Sequence, residues 1–451
     1  MDHLHDDART SELTPPDLGK LRSSVTDSAS GPATDRRSID ARSAGLRFVS
    51  WLDRYGETSR DHQSYFAGPI GGAAKALYYR NPTLGTLAVA PMILSEAVFP
   101  EARHLFWKKQ RLPIADAHYA MAFALLSQLT GEEKYYERAV HFLDVLEKTR
   151  CAGYRHYCWG YPFDWVTRDG MIAAGTPLIT TTPYVYEAFS CVHQIDGNER
   201  WLEIMESVAE HAAKDIKDIE ISEDAASAGY HPLDTEGGVI NASAYRAFLL
   251  MSAGLQFSRD DYRCIATRNL NFVLRSQRPN GSWLYAADGV RDFVDHFHTC
   301  FVLKALAKIE KMTGHDGCTR AITSGVEYYV RNLFDDQGLP KPFSRAPRLT
   351  VYRRELYDYA ECINLATLLQ GRFDALDDRL RTTLGDLLRH WQKQDGSFRS
   401  RQLLVGWDNV PMHRWAQSQL FRSLCLLLWS TREQSDGSSV GLPKVSALSS
   451  A

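Results

Sequence analysis

The 451-residue chain has no excess of charge of either sign and no long apolar run. Lys and Arg total 52 against 55 Asp and Glu, so the net charge of −3 argues against a nucleic-acid partner and against an acidic solvating tail. The longest apolar stretches, such as residues 424–429, are too short to span a bilayer, and the first residues do not resemble a signal peptide. These absences predict a cytoplasmic protein without a membrane span.

Paired cysteines and common catalytic motifs are also lacking. The 8 cysteines are scattered and include no Cys-x-x-Cys pair, which predicts reduced, mostly buried thiols. The chain contains no Gly-x-Gly-x-x-Gly, P-loop, Gly-x-Ser-x-Gly or His-Glu-x-x-His motif, which disfavours nucleotide binding, serine hydrolysis and zinc-peptidase chemistry. Neither a cofactor nor a bound metal is expected.

Aromatic residues are absent from residues 1–40, although the whole chain has 10 Trp, 21 Tyr and 19 Phe. Residues 1–40 are rich in Asp, Arg, Ser, Thr and Pro, which predicts a disordered arm. The Ser- and Gly-containing residues 433–451 are expected to form a disordered tail. The remaining residues, 41–432, are predicted to form one folded unit.

A repeat of about 60 residues organises this unit. Apolar helices rich in small residues are predicted to begin near Asp116, Pro177, Gly237, Phe293, Glu355 and Pro411. Each except the last is followed by an amphipathic helix with charges on one side, and residues 39–55 supply a sixth. Six inner and six outer helices predict an all-α fold, an (α/α)6 toroid of six helical hairpins.

A recurrent turn connects these hairpins. The sequence Gln-x-x-Asn/Asp-Gly-Ser-aromatic occurs at residues 277–283 and 392–398, with a weaker copy at 335–339. The first copy is followed by Tyr285 and by Asp-His-Phe-His-Thr at residues 295–299. This pattern resembles the six-hairpin glycosidase-like α/α-toroid superfamily, and within it VpsJ-like polysaccharide biosynthesis proteins. The resemblance covers roughly residues 110–430 and implies an oligo- or polysaccharide substrate, with polysaccharide-assembly proteins as partners.

A second resemblance is less complete. Residues 298–301, His-Thr-Cys-Phe, are similar to the His-Thr-Cys-Tyr of protein prenyltransferase β subunits, in which the His binds zinc. Those enzymes also use an Asp-x-Cys pair in the preceding repeat, and residues 235–247 contain no Cys. The Asp-x-Asp-Asp acid of terpene cyclases is likewise missing. A prenyltransferase- or terpene-cyclase-like toroid is therefore kept only as an alternative.

The polar residues at the start of the fourth inner helix form the first candidate site. Asp295 and His298 are three residues apart and can share one helical face, so the carboxylate can orient the imidazole as a general base. His296 is a second candidate base. Trp283 and Tyr285 are expected to supply a stacking platform and a phenolic acid.

A second group combines carboxylates with aromatic residues. Tyr357 and Glu361 share one face of the fifth inner helix, with Asp358 one step round it, so this helix could provide a catalytic carboxylate pair. A loop contains further candidates, Trp159, Asp164 and Trp165. The aromatic rings of this loop are expected to stack against a sugar and, by surrounding Asp164 with apolar groups, to raise the pKa of its carboxyl.

Two other inner helices begin with polar or aromatic candidates for substrate binding. On the third, Asn241 and Tyr245 share a face, and Arg246 could bind a carboxylate or phosphate in bidentate fashion. The candidates at the sixth inner helix are Trp407, Asp408 and Trp415. Asp116, at the first, is interpreted as a helix N-cap.

These patterns favour a carbohydrate-active enzyme of exopolysaccharide or capsule metabolism, but they leave the reaction open. For a glycoside hydrolase, the catalytic residues are drawn from Asp164, Asp295, Asp358 and Glu361. For a polysaccharide lyase or uronate epimerase, they are drawn from Tyr245, Arg246, Tyr285, His296 and His298. A non-catalytic glycan-binding scaffold is the alternative from another functional class.

Overall fold

The structure, a computed structural model, describes residues 31–347 and 350–435, with side chains over residues 40–347 and 350–432. The predicted tail lies outside the described residues from position 436 onwards. Of the predicted arm, residues 1–30 lie outside them, and the first helix begins at Gly31.

Sixteen α-helices account for most of the described chain. The first five are α1 (Gly31–Tyr55), α2 (Ser64–Ala67), α3 (Pro69–Arg80), α4 (Pro82–Val98) and α5 (Arg103–Phe106). Three hairpins follow: α6 (Pro113–Thr130) with α7 (Glu133–Lys148), α8 (Thr182–Asp196) with α9 (Glu199–Glu210), and α10 (Ile240–Gln256) with α11 (Asp260–Arg275). The remainder are α12 (His296–Thr313), α13 (Asp316–Asn332), α14 (Leu356–Leu368), α15 (Asp374–Asp386) and α16 (Ser418–Ser435).

The even-numbered helices from α6 to α16 form a closed inner ring. Each contacts the next, and α16 packs back against α6. The outer helices are α7, α9, α11, α13 and α15, and α1 completes the outer layer by packing on α16. Inner helices such as α14, which is buried along nearly all of its length, face both the ring axis and the outer layer. The predicted (α/α)6 toroid is confirmed, including α1 as its sixth outer helix.

The recurrent turn attaches each hairpin to the next outer helix. The side chain of Gln277 donates hydrogen bonds to the carbonyls of Gly281 and of Ala321 in α13. Gln392 does the same with Gly396 and with Ala44 in α1. Gly281 and Gly396 have φ values of +88° and +98°, which glycine tolerates best. The repeated sequence therefore corresponds to a repeated structural joint.

Nine short strands lie in the segments that precede the inner helices. They are β1 (Trp165–Thr167), β2 (Gly170–Ile172), β3 (Asp218–Ser222), β4 (Ala225–Ala228), β5 (Val294–Asp295), β6 (Phe343–Arg345), β7 (Tyr352–Glu355), β8 (Arg401–Leu403) and β9 (Trp407–Asp408). All pairings are antiparallel: β1–β2, β3–β4, β5–β6 and the three-stranded β7–β8–β9. Because short turns close the other end of the ring, these segments build the rim around the N-termini of the inner helices.

Residues 56–112 form an addition to one side of this rim. Helices α3 and α4 are an antiparallel hairpin, and Asn81 caps α4 by accepting a hydrogen bond from the Leu84 amide. Buried ion pairs fasten the segment to the β7–β8–β9 sheet: Arg103 with Asp408, and Arg401 with Glu96. None of the helices described is both long and apolar enough to cross a membrane.

The 8 cysteines all have free thiols, as the sequence predicts. Six are buried, Cys191 is partly buried and Cys264 is exposed.

Candidate functional site

The N-terminus of α12 holds a carboxylate–imidazole pair. Asp295 is the N-cap: its Oδ1 accepts a hydrogen bond from the His298 amide at 2.9 Å. Its Oδ2 lies 2.6 Å from Nδ1 of His298, so the same carboxylate also fixes the imidazole ring. Asp295 is buried, whereas the His298 side chain is 23% exposed. No hydrogen bond of the described chain uses Nε2 of His298, which leaves this nitrogen available to a ligand as a proton acceptor.

Aromatic rings surround this imidazole. The rings of Tyr285, Phe297 and Phe301 lie 4.7, 4.4 and 5.5 Å from that of His298. Burial raises the pKa of Tyr285, so its phenol stays protonated and can donate a proton. The arrangement combines a base, an acid and flat apolar faces of the type that stack on sugars.

The aromatic surface continues towards the sixth inner helix. Phe297 lies 5.0 Å from Tyr357, which lies 6.1 Å from Trp415. The guanidinium of Arg414 lies over the rings of Trp415 and Tyr161, at 4.1 and 4.4 Å. The wall thus runs across the ring from α12, past α14, to the segment that precedes α16.

Arg414 is a buried cation within this wall. It is 2% exposed, and Nη2 lies 2.8 Å from Oδ2 of Asp61. None of its three guanidinium nitrogens forms a hydrogen bond of good geometry within the described chain. Arg414 is therefore held in the wall by its ion pair with Asp61 and by its contacts with aromatic rings, rather than by hydrogen bonds of good geometry.

Asn241 borders the pocket beside the carboxylate–imidazole pair. The pocket also includes Asp295, His298 and Thr299. Asn241 is 3% exposed, and its Oδ1 has no hydrogen-bond partner in the part of the chain described. The structure therefore brings Asn241 next to His298, and Oδ1 of Asn241 accepts no hydrogen bond from a backbone or side-chain donor of the described residues.

Asp358 is a buried carboxyl without partners. It is fully buried, and neither carboxyl oxygen has a hydrogen-bond partner among the described residues. Burial raises its pKa well above the ordinary value, and the nearby carboxylates of Glu355 and Asp295 add to the rise. Burial therefore favours the protonated form of Asp358.

The axis of the ring is filled by paired polar groups rather than by apolar side chains alone. Glu361 forms a buried ion pair with Lys304. Burial acts to lower the pKa of Lys304, but the carboxylate of Glu361 and the phenol of Tyr184 outweigh it, and the pKa is raised. The phenols of Tyr184 and Tyr245 are hydrogen-bonded at 2.6 Å. Two predicted catalytic residues, Glu361 and Tyr245, therefore belong to this axial network.

A second ion pair lies further along the axis. Lys308 pairs with Glu187, and Arg422 approaches the same carboxylate at 3.7 Å. Burial lowers the pKa of Lys308 to about 8. His118, whose Nδ1 is 3.4 Å from Arg422, has its pKa well below the ordinary value because of burial and the surrounding cations.

Several predicted site residues hold the scaffold together instead. All five N–H donors of Arg246 have partners within the protein: Asp218, Asn269 and three backbone carbonyls. His296 faces an outer helix, bonded through Nδ1 to the Leu333 carbonyl and through Nε2 to Tyr329, and burial lowers its pKa to about 3. These bonds leave neither side chain free for a substrate.

The predicted tryptophans divide in the same way. Trp159 is fully buried and donates to the Leu146 carbonyl, and Trp283 is buried and donates to the Val273 carbonyl. Trp407 packs edge-on against Trp391, which ends the helical turn that follows the outer helix α15. Trp415, by contrast, belongs to the wall described above.

Two predicted carboxylates and one tryptophan lie at the rim. Asp164 is exposed and accepts a hydrogen bond from the Ala174 amide, so it is not enclosed among aromatic rings as expected. Trp165 lies 5.5 Å from Tyr161 and extends the wall outwards. Asp408 is fully buried in its ion pair with Arg103, which does not suit contact with a substrate.

Asp116 is not a helix N-cap. The N-cap position of α6 is occupied by Leu112, and Asp116 lies in the first turn, bonded to Arg111. No three His, Cys, Asp or Glu side chains within residues 40–347 and 350–432 are grouped as a metal site would require.

Sequence reasoning did not single out Lys304, Lys308, Arg414 or Arg422. A signal was present for the two lysines, since they are four residues apart in an otherwise apolar inner helix.

Comparison with known proteins identifies the architecture. No protein-family model and no curated protein matches the chain. The solved structure of cellobiose 2-epimerase from Bacillus thermoamylovorans B4167 is similar with a TM-score of 0.56 and 10% identity, over 71% of this chain and 88% of that one. The unsaturated glucuronyl hydrolase of Bacillus sp. GL1 gives 0.57 and 12%, over 86% and 96%.

A third similar structure is an α-1,6-mannanase of Salegentibacter sp. HEL1_6, with a TM-score of 0.51 and 11% identity, over 71% of this chain and 89% of that one. The narrower likeness to VpsJ-like proteins stays a prediction. Together with the closed ring of six hairpins, these comparisons show that the chain has an (α/α)6 toroid fold.

Proposed function

We propose that this protein is a carbohydrate-processing enzyme in which His298, oriented by Asp295, removes a proton from a sugar carbon. The observation that carries the proposal is the 2.6 Å contact between Asp295 and Nδ1 of His298, with Nε2 free inside an aromatic wall. A carboxylate bound to one imidazole nitrogen makes the other nitrogen a proton acceptor of fixed direction. The enzymes with similar folds act on sugars, which supports this substrate class.

The chemistry suits a carbon next to a carbonyl or carboxylate group. Transfer of its proton to Nε2 of His298 moves the C–H electron pair towards that group, and a cation stabilises the resulting negative charge. The charge of Arg414 is balanced by Asp61, but on the ring axis the three cations Lys304, Lys308 and Arg422 outnumber the two carboxylates of Glu187 and Glu361. This positive balance favours a sugar that carries a carboxylate, such as a uronic acid.

Two outcomes then remain within the same proposal. Return of a proton to the opposite face gives an epimer. Departure of a β-oxygen gives an unsaturated product, and the protonated phenol of Tyr285, 4.7 Å from His298 between ring centres, is placed to supply that oxygen with a proton.

Hydrolysis is a second candidate because of Asp358. A buried carboxyl whose pKa is raised, as that of Asp358 is, suits the general acid that a glycosidase needs. However, Asp358 is fully buried, Glu361 is paired with Lys304 and Asp295 with His298, so no accessible pair of free carboxyls flanks one bond in this structure. This arrangement favours proton abstraction over hydrolysis.

The natural substrate that we propose is an oligo- or polysaccharide of exopolysaccharide or capsule metabolism. Support comes from the sequence likeness to polysaccharide biosynthesis proteins and from the long aromatic wall, which offers several rings rather than one. A non-catalytic glycan-binding role keeps the wall but gives the Asp295–His298 pair no chemical task.

The test is incubation of the full-length protein in D2O with uronic-acid-containing and neutral oligosaccharides, followed by mass spectrometry. Deuterium incorporated without cleavage identifies an epimerase, and an unsaturated fragment identifies a lyase. Replacing His298 with asparagine should lower kcat on the order of 10²- to 10⁴-fold. The matched control is His193→Asn, in the last turn of α8 at the opposite end of the ring, which should keep full activity.

Cleavage with incorporation of water, abolished by Asp358→Asn and retained by His298→Asn, would instead establish the hydrolase. Binding without any product would establish the scaffold.

A further inference from the structure

Helix α4 exposes an apolar stripe to solvent. Leu84, Leu87, Leu94 and Val98 are 55, 69, 63 and 70% exposed. Their spacing places them on one side of the helix, while Gly85, Met92 and Glu96 on the other side are buried. A helix of a globular protein normally exposes its polar side, whereas α4 is apolar nearly all round and exposes four large apolar side chains.

Neighbouring residues widen this stripe. In α3, Ile70 is 78% and Leu77 37% exposed, and after α4 Phe99 and Leu105 are 56 and 72% exposed. These residues and the α4 stripe together are named the apolar hairpin face. Contiguous apolar surfaces of this kind mark a contact with a partner or with a membrane.

The charged residues near the apolar hairpin face indicate whether a protein partner or a membrane covers it. The exposed charged residues of the range 68–111 are Arg80, Glu101, Lys108 and Lys109, three basic against one acidic, and Lys109 lies over the ring of Tyr55 at 4.0 Å. By contrast, the whole chain has a net charge of −3. The hairpin is therefore a locally basic region on an acidic protein.

The basic residues lie at both ends of the apolar hairpin face. Arg80 is at the turn between α3 and α4. Lys108 lies near the start of α3, because the ring of the preceding Trp107 packs close to Gly68, the residue before that helix: a Cβ added to Gly68 would lie 3.3 Å from the ring. The other arginines of this segment are engaged internally: Arg103 pairs with Asp408 and Arg111 with Asp116. Arg80 and Lys108 at the two ends are thus exposed towards an external surface, whereas Lys109 lies over the ring of Tyr55.

From this arrangement we infer that the apolar hairpin face rests on a membrane surface containing anionic lipids. The apolar side chains enter the boundary between head groups and acyl chains, and the basic residues at both ends contact the lipid phosphates and carboxylates. Two copies pairing through this face would bring like charges together, which disfavours a dimer. Contact along one helix side agrees with the absence, among the described helices, of one that could cross the bilayer. This inference does not depend on the proposed reaction.

The experiment is co-sedimentation of the full-length protein with phosphatidylcholine vesicles, with and without phosphatidylserine. We expect binding to the anionic vesicles that decreases with added salt. The double variant Leu87→Glu/Leu94→Glu should lower the partition coefficient on the order of tenfold or more. A control is Leu404→Glu/Val405→Glu, which changes residues that are 54 and 86% exposed on the β8–β9 connection and should bind like wild type.

Circular dichroism of each variant establishes that it is folded. The inference is overturned if the wild-type protein ignores both vesicle types, or if the Leu87/Leu94 variant binds as well as wild type. Light scattering supplies the other contrary outcome: a wild-type dimer that this variant converts to a monomer would show that a second copy covers the face.

Discussion

Replacing Asp116 with asparagine should remove a pH dependence of stability that this carboxyl imposes on the protein. Asp116 is 1% exposed in the first turn of α6, and its Oδ2 accepts a hydrogen bond from Nε of Arg111 at 3.0 Å. Burial raises its pKa from 3.8 to about 7, because desolvation outweighs the attraction of Arg111 and the nearby Glu57 adds to the rise.

The sign of this pH dependence follows from which state of the protein, folded or unfolded, binds the Asp116 proton more tightly. The folded protein holds the Asp116 proton to about pH 7, whereas the unfolded chain loses it near pH 3.8. The stabilisation is therefore complete below pH 3.8 and is lost as the pH rises towards 7. At about 1.4 kcal/mol per pKa unit, the loss is roughly 1.7 kcal/mol at pH 5 and roughly 4.3 kcal/mol at pH 8.

The assay is urea denaturation of wild type and Asp116→Asn at both pH values. The difference in unfolding free energy between the two proteins should shift by about 2.5 kcal/mol in favour of the variant on going from pH 5 to pH 8. Using the difference cancels the other titrating groups. A shift of less than about 0.5 kcal/mol would refute the reasoning, since Asp116 would then be ionised throughout.

Two further predictions concern the scaffold. Replacing either Gly281 or Gly396 with alanine should lower the unfolding free energy by about 2 to 4 kcal/mol. Both glycines have positive φ, and a Cβ at either position would lie 2.2 to 2.3 Å from a backbone oxygen of the next outer helix. Thermal denaturation measures the loss, and a variant that melts like wild type would contradict the prediction. In urea denaturation, Arg246→Leu should lower the unfolding free energy by about 3 to 5 kcal/mol, because Arg246 is buried. The control Arg263→Leu changes a surface ion pair and should lower it by less than about 1 kcal/mol. Equal effects of the two substitutions would show that Arg246 is not a structural residue.

Periodicity predicted the helices because each must bury one or two faces at fixed spacing. The amphipathic outer helices predicted to follow the inner ones are present, for example at Glu133–Lys148 and Asp260–Arg275. The inner helix predicted near Pro177 begins at Thr182, in agreement with the poor helical character of the threonine run before it. The strands of the rim escaped prediction because two to five residues are too few to show alternation.

The site was predictable where its contacts are local. Asp295 and His298 are three residues apart, so helix geometry alone brings them together. Arg246 was misinterpreted because its partners, Asp218 among them, are distant in sequence, and composition does not reveal that its donors are occupied. Arg414 escaped for the same reason, since its aromatic neighbour Tyr161 belongs to another repeat.

The position of α1 has a consequence for biosynthesis. This helix is made several hundred residues before its inner partner α16, and Arg47 of α1 bonds to Gln392, which also lies far along the chain. At about 5 to 20 residues per second, a ribosome needs on the order of twenty seconds to over a minute to reach the C-terminal helix after α1. Throughout that interval the buried Phe48 of α1 can pack on Tyr119 of α6 but still lacks its late partners Phe398 and Phe421. The nascent chain thus carries an open ring, and its first helix is a segment that a chaperone can hold until the last one emerges.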